Sequence, residues 1–176
     1  MASTAFLLLV VLAMFFAPVY ASWLNNYDKD VKFSCPSGQV LSYVASTHHN
    51  SYEDRRFDLR CRSPPVSGTL KQCFWTQYVN AFDEPVVYQC PHDGFLAGMR
   101  SYHSNDYEDR RYSFYCCRLP GYVTYECSYT GFVNQKDQTF YYSAPNGRVL
   151  KGMVSFHDDK TEDRSFQFDT CLIKKK

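Results

Sequence analysis

The chain has 176 residues and a formal net charge of +1 at pH 7, and 18% of its residues are aromatic. A charge so close to zero excludes a protein that attracts nucleic acid through a strong electrostatic field. The 15 Tyr and 14 Phe side chains are typical of strands and binding surfaces rather than of long helices.

An apolar segment from Phe6 to Phe16 lies near the N-terminus, and the first charged side chain is Asp28. The segment is shorter than the roughly 20 residues that a membrane-spanning helix needs. Ala21 follows it as a small residue suited to signal peptide cleavage. We therefore expect residues 1–21 to be a signal peptide. The mature protein, residues 22–176, is then extracellular, in matrix or body fluid, without inserting into a membrane.

Three copies of one repeat account for the remaining chain. Their opening motifs, Trp23-Leu-Asn, Tyr78-Val-Asn and Phe132-Val-Asn, are almost evenly spaced along the sequence. Each copy closes with Glu-Asp-Arg and an aromatic residue two positions later. We expect repeats at about 23–77, 78–131 and 132–176, all within one domain.

The closing segment of each copy alternates with a period of two. In the first copy, Arg55, Phe57 and Leu59 lie on one face of a strand, and Arg56 and Asp58 lie on the other. The mature chain has no sustained helical period, and Pro-Ser-Gly and Asp-Gly turn signals separate its segments. The sequence predicts an all-β, disulfide-rich fold whose three repeats of about 55 residues have a pseudo-threefold arrangement.

Eight cysteines, an even number, should all pair in an oxidising compartment. One type of pair has the same short spacing in two copies, and the third copy has lost both partners, with Ala144 and Thr170 in their place. In the second type, Cys73 and Cys117 have the same longer spacing as Cys127 and Cys171. Moving along the sequence by one repeat converts the first of these pairs into the second. The spacing predicts four disulfides: Cys35–Cys61, Cys90–Cys116, Cys73–Cys117 and Cys127–Cys171.

The middle copy contains Asp109-Arg-Arg-Tyr-Ser-Phe-Tyr-Cys-Cys117, and a similar Glu-Asp-Arg motif closes every copy. These features resemble the dermatopontin family over the whole mature chain. The resemblance implies an extracellular protein whose partners are cell-surface glycans or proteoglycans, and collagen-associated matrix proteins. It also implies cell adhesion in vertebrate members, and blood-cell aggregation or haemagglutination in some invertebrate members.

One histidine recurs in register shortly before each closing motif, and amide, carboxylate or aromatic side chains follow it. Polar groups of this kind can bind sugar hydroxyls while a Tyr ring offers an apolar face. Three such loops would make binding multivalent, as cell agglutination requires. The predicted glycan-binding residues are His48, Asn50, Tyr52, His103, Asn105, Tyr107, His157 and Asp159.

The repeated Asp-Arg pairs have two interpretations, a ligand site or a buried network that shapes each copy. The Arg lies on the apolar face of its strand and must be paired if it is buried, so the pattern favours the structural role. The residues are Asp54, Arg55, Asp109, Arg110, Asp163 and Arg164.

Three other arginines, Arg56, Arg60 and Arg111, are predicted on the outward strand face, where they could bind sulfated glycosaminoglycan through bidentate contacts. Asp58 lies between two of them in the sequence, which favours the alternative of a solvated surface of mixed charge. Both interpretations are retained at this point.

A metal could use Asp158 and Asp159 beside His157, but the other copies have His49-Asn50 and Ser104-Asn105 there, and no zinc or EF-hand spacing occurs. We therefore expect no metal and no cofactor. Nucleophile elbows, phosphate loops and zincin helices are also missing from the sequence, which predicts a protein that is not an enzyme.

Three functions are compatible with these features. The favoured one is an adhesion protein that acts by multivalent contact with glycans or glycosaminoglycans. The alternative is a soluble defence lectin that agglutinates blood cells or microbes. A cytotoxin is the third, although the mature sequence has no amphipathic membrane segment to support it. Self-association into an oligomer is compatible with each.

Overall fold

The computed structural model describes residues 21–176. The predicted signal peptide, apart from Ala21, lies outside the described residues. Residues 21–176 contain eleven strands and no helix, which confirms the all-β prediction. The strands are β1 (Val31–Ser34), β2 (Val40–His49), β3 (Asp54–Arg62), β4 (Lys71–Trp75), β5 (Val86–Gln89), β6 (Phe95–Ser104), β7 (Asp109–Arg118), β8 (Tyr122–Tyr129), β9 (Phe140–Ser143), β10 (Arg148–Asp158) and β11 (Asp163–Lys175).

Three antiparallel hairpins, β2–β3, β6–β7 and β10–β11, form the body of the protein, one in each repeat. Each hairpin turn ends at a Glu in the left-handed backbone region: Glu53, Glu108 and Glu162 have φ angles of 45°, 43° and 46°. The Asp-Arg pair that follows each Glu therefore begins the second strand of its hairpin.

A short strand from each repeat pairs with the hairpin of another repeat. Strand β1 pairs with β6, β5 with β10, and β9 with β2, so the first repeat joins the second, the second joins the third, and the third joins the first. Strands β4 and β8 extend two of the sheets by pairing with β7 and β11. The exchange is therefore cyclic, and the pseudo-threefold arrangement of the repeats stays a prediction.

Each opening motif fixes the end of its own hairpin through a buried Asn. The Asn25 side chain accepts a hydrogen bond from the Phe57 backbone N–H at 3.0 Å and donates one to the Arg55 carbonyl at 3.2 Å. Asn80 and Asn134 make the equivalent bonds in their repeats. The motif therefore recurs for a structural reason, because a buried strand end needs its backbone groups paired.

All eight cysteines are paired, and the disulfides join the residues that the spacing predicts. Two bridges connect the segment before a hairpin to the second strand of that hairpin. The other two bridges tie β4 to β7 and β8 to β11, so they fasten each connecting segment to the repeat that follows it.

The core is centred on one aromatic side chain from each repeat. Phe57, Tyr112 and Phe166 are fully buried, and their ring centroids are 6.2 to 6.4 Å apart with interplanar angles of 79° to 85°. Edge-to-face packing of this kind is favoured by the charge distribution of aromatic rings. The three hairpins therefore meet at a shared aromatic centre.

Candidate functional site

The Asp and Arg of each closing motif are neighbours in the chain but do not pair with each other. The Asp pairs with an Arg from one of the other two repeats, and the Arg pairs with an Asp from the remaining repeat. Arg110 donates to both carboxylate oxygens of Asp54, at 2.5 Å from Nε and 2.7 Å from Nη2. Arg164 makes the same pair with Asp109, and Arg55 with Asp163. Each of the six side chains is at most 3% exposed. These six residues form a closed ring of ion pairs that links all three repeats.

The recurring histidines belong to the same ring. The Nδ1 atom of His103 is 3.2 Å from Asp54, that of His157 is 3.3 Å from Asp109, and that of His48 is 3.2 Å from Asp163. All three His side chains are only 1% exposed. A side chain so deeply buried cannot contact a sugar at the surface, so direct binding by these residues would need the loops to open.

The ring holds its carboxylates in the charged form. Burial would raise the pKa of Asp54, but contacts with His103 and Arg110 outweigh burial and lower that pKa to about 2. The pKa values of Asp109 and Asp163 are likewise well below the usual range, because His and Arg contacts overcome the effect of burial. Charged Asp paired with charged Arg is the state that a buried network requires.

A narrow cavity of about 10 Å³ lies among the ring residues and receives side chains from all three repeats. That volume corresponds to roughly one water molecule. The centre of the ring is therefore too small for a sugar, and any glycan must bind further out.

The hairpin turns carry the exposed part of the predicted glycan site. Asn50 and Asn105 are exposed, and the residues Tyr52 and Tyr107 are 47% and 51% exposed. The Asp159 side chain is 85% exposed. The structure thus separates the predicted residues into three buried histidines and five accessible residues, whose binding role stays a prediction.

Each of the first two turns presents a stacked pair of aromatic rings. In the first platform (Tyr27, His49 and Tyr52), the Tyr27 and Tyr52 rings stack with centroids 4.9 Å apart and planes 9° apart, and His49 meets the edge of Tyr52. In the second platform (Phe82, Tyr102 and Tyr107), Phe82 and Tyr107 stack at 4.7 Å and 9°. The ring of Tyr102 meets Phe82 edge-on.

The third repeat has no such platform within the described chain, because Lys136 and Thr161 occupy the two stacking positions. The Lys136 ammonium group donates to the carbonyl oxygens of Phe156 and Asp163. The repeats are therefore alike in their ring of ion pairs but different at their surface.

The arginines predicted to bind glycosaminoglycan all lie over aromatic rings. The Arg56 guanidinium is 4.6 Å from the Tyr27 ring centroid, and that of Arg60 is 4.6 Å from Tyr43. Arg111 is 5.3 Å from Tyr78. Such cation–π contacts hold the rings in place. Binding of sulfate by these arginines stays a prediction.

Arg60 also forms an ion pair with Asp58, with 2.6 Å between Nη2 and Oδ2. The sequence pattern placed Asp58 on the outward face, but it is only 2% exposed because Arg60 and the Ser22 backbone N–H contact it. The pair therefore neutralises part of the predicted basic surface.

Sequence reasoning missed Tyr27 and Phe82, the inner ring of each platform. Each precedes in its own repeat the Tyr on which it stacks, and the two occupy equivalent positions of the first and second repeats. The sequence therefore shows that an aromatic residue recurs at this position. It does not show which ring the residue stacks on, because that depends on how the segment before β1 or β5 folds against the hairpin turn.

Together, the fold and the site define a disulfide-bridged all-β protein in which three repeats share one buried ion-pair ring and two of them expose aromatic platforms. The Dermatopontin family model matches residues 25–175, and the chain belongs to the dermatopontin family. No solved structure shows a significant match. Among residues 21–176 we find no helix with the length and apolar character needed to span a membrane.

Several known proteins are similar to this chain over most of its length. It is 37% identical to a Dermatopontin of Biomphalaria glabrata over 150 residues, which cover 85% of this chain and 99% of that relative. It is 36% identical to the Hemagglutinin/amebocyte aggregation factor of Limulus polyphemus over 157 residues, or 87% and 88% of the two chains. It is 35% identical to Millepora cytotoxin-1 of Millepora dichotoma over 150 residues, or 85% and 66%.

Proposed function

We propose that the chain is a secreted, non-enzymatic adhesion protein that binds cell-surface or matrix glycans and promotes cell adhesion or aggregation. Residues 1–21 act as the signal peptide in this proposal. The observation that carries it is the pair of exposed aromatic platforms in the first two repeats. Proteoglycans are the favoured partners, and collagen-associated matrix proteins are further ones.

An aromatic platform has the chemistry that sugar recognition uses. The apolar face of a pyranose ring packs on an exposed aromatic ring, while neighbouring amide groups bind its hydroxyls. Tyr52 provides such a ring beside Asn50, and Tyr107 provides one beside Asn105. Stacking on Tyr27 and Phe82 fixes both rings before any ligand binds, which lowers the entropy lost on binding.

Two platforms on one chain would allow one molecule to contact two glycans. Cross-linking of this kind converts weak single contacts into strong attachment between surfaces. Support comes from the relative named Hemagglutinin/amebocyte aggregation factor, because its name describes cell clumping. The same name favours a second candidate function, a soluble defence lectin that agglutinates blood cells or microbes. The relative named Millepora cytotoxin-1 keeps cytotoxicity as a third, less favoured candidate.

A glycan array and a red-cell assay with matched variants test the proposal. The substitutions Tyr52→Thr and Tyr107→Thr introduce the residue that the third repeat has at the equivalent position, Thr161. We expect the double variant to lose at least nine-tenths of array binding and agglutination, whereas the control Thr161→Ala leaves both unchanged. Full binding by the double variant would contradict the proposal.

Inhibitors separate the candidate functions in the same assay. Clumping blocked by a simple sugar favours the lectin. Clumping or cell attachment blocked only by heparin favours the matrix role and the predicted contribution of Arg56, Arg60 and Arg111. Haemolysis without clumping favours the cytotoxin.

A further inference from the structure

The corner between the second and third repeats brings several metal-binding groups together. The Nε2 atom of His157 is 3.1 Å from Glu162 Oε2, 3.6 Å from Asp159 Oδ1 and 3.8 Å from Asp83 Oδ1. Asp83, His157 and Asp159 each offer a donor atom within 4.8 Å of the other two. One imidazole nitrogen and two carboxylates from two repeats thus face one another, and Glu162 contacts the same nitrogen.

The buried His157 ring is oriented for binding a cation. Its Nδ1 atom is 3.3 Å from the charged Asp109 carboxylate, so a proton on Nδ1 is stabilised there. Nε2 lies within hydrogen-bond distance of Glu162 Oε2, at 3.1 Å, and it is the donor because a carboxylate oxygen accepts. A metal ion bound at Nε2 would replace the proton that this contact holds. A carboxylate behind a metal-binding histidine is also the usual outer-shell partner in metal sites.

We propose that this corner binds a divalent metal ion, best matched by Zn²⁺, through His157, Asp83 and Asp159. Neutral imidazole and carboxylate oxygen are established ligands of zinc. Tetrahedral zinc with bonds of about 2.0–2.2 Å places its ligands roughly 3.4 Å apart. The separations of Nε2 from Asp159 and Asp83, 3.6 and 3.8 Å, lie close to that spacing.

The sequence alone predicted no metal, because the other repeats have His49-Asn50 and Ser104-Asn105 at the equivalent positions and no zinc or EF-hand spacing occurs. Within the third repeat it offers only His157 with its neighbours, and no zinc spacing is visible. Asp83 comes from the second repeat, much earlier in the chain. The Asp83 and Asp159 side chains are 44% and 85% exposed, so an ion can enter from solvent and draw them inward.

The other two corners provide internal controls. In the second repeat, Nε2 of His103 is 3.3 Å from Glu108 and 3.9 Å from Asp28, but Asn105 replaces the third carboxylate. In the first repeat, Nε2 of His48 is 3.6 Å from Asp137, and Asn50 takes that place. Asp159, a side chain at the surface, distinguishes the third corner from the second. The first corner also brings donor atoms of His48, Asp137 and Asp163 within 4.8 Å of one another, but there Asp163 is already paired with Arg55.

Calorimetric titration of metal-free protein with zinc chloride tests the site without any glycan. We expect the mature wild-type chain to bind one equivalent of Zn²⁺ and Asp159→Asn to lose at least tenfold in affinity. The reverse change, Asn105→Asp, completes the donor set at the second corner and is expected to add a second equivalent. Calcium chloride serves as the comparison, and we expect weaker binding because one donor is nitrogen.

Two results would overturn the proposal. If the wild-type chain binds no zinc, a protonated His157 alone accounts for the geometry. If Asp159→Asn binds zinc as the wild type does, the ion lies elsewhere on the protein. Thermal unfolding of each variant without metal checks the fold, which a substitution at the exposed Asp159 should leave intact. The titration does not use the aromatic platforms, so failure of the glycan proposal leaves it unaffected.

Discussion

Each Asp of the ion-pair ring is held by an Arg and a His from another repeat. Replacing one partner of a buried ion pair leaves the other charge without compensation, which is much more costly than losing an exposed pair. A single substitution in the ring is therefore expected to destabilise the contact between two repeats.

Asp54→Asn tests this at one corner. The variant leaves the buried Arg110 guanidinium without its carboxylate, so we expect the free energy of unfolding to fall by about 3–5 kcal/mol. Asp106→Asn, in an exposed turn, is the control, with an expected change within about 0.5 kcal/mol. Urea denaturation measures both, and equal stability of the two variants would contradict a stabilising ring.

The same carboxylate makes stability depend on pH. The pKa of Asp54 is about 2 in the folded protein against an ordinary value of 3.8, so the unfolded state binds more protons between these values. Its contribution, roughly 2 kcal/mol, is complete above about pH 4 and is lost as the pH falls through 2. We expect urea midpoints to drop from pH 5 to pH 2, and to drop less in Asp54→Asn. Constant midpoints would contradict the assignment.

Two of the three hairpins receive a strand from another repeat at a glycine, Gly98 or Gly152, whereas the first hairpin has Tyr43 at the equivalent position. A Cβ atom at Gly98 would collide with the carbonyl oxygen of Phe33 on β1, and one at Gly152 would collide with that of Tyr88 on β5. Each hairpin is also irregular at this point, with register shifts at Leu96/Gly98 and Leu150/Gly152. These glycines let the backbones of two repeats approach closely.

Gly98→Ala is expected to displace β1 and lower the free energy of unfolding by about 1–3 kcal/mol, because backbone atoms cannot yield as a side chain can. Gly131→Ala is the matched control, since an added Cβ there meets no atom within 4 Å. Thermal unfolding compares the two. A stable Gly98→Ala variant would show that β1 is not held closely against β6.

Every repeat lends at least one strand to another repeat and accepts at least one, so no repeat completes its own sheet. The aromatic centre and the ion-pair ring follow the same cyclic order. Two disulfides then fasten connecting segments to the repeats that follow them. The whole chain is thus stabilised as one unit, while the turns remain at the surface and differ among repeats.

Much of this architecture could be predicted from repetition within the sequence. Alternation around Phe57 predicts the hairpin strands, and joint loss of cysteine at Ala144 and Thr170 predicts the disulfide pairs. The exchange of strands between repeats could not be predicted. Because β1, β5 and β9 are similar in sequence, each of them could pair equally well with any of the three hairpins. For that reason the sequence did not reveal that Arg110 pairs with Asp54, or that Asp83 approaches His157.

Agglutination by single and double platform variants tests most directly the claim that the first two repeats act together as a cross-linker. With monomeric protein, we expect Tyr52→Thr and Tyr107→Thr each to keep glycan binding, at about half the wild-type stoichiometry, but to lose clumping of red cells. The double variant is expected to lose both activities, while Thr161→Ala keeps both. Undiminished clumping by the double variant, or glycan binding that depends on Thr161 instead, would contradict this account.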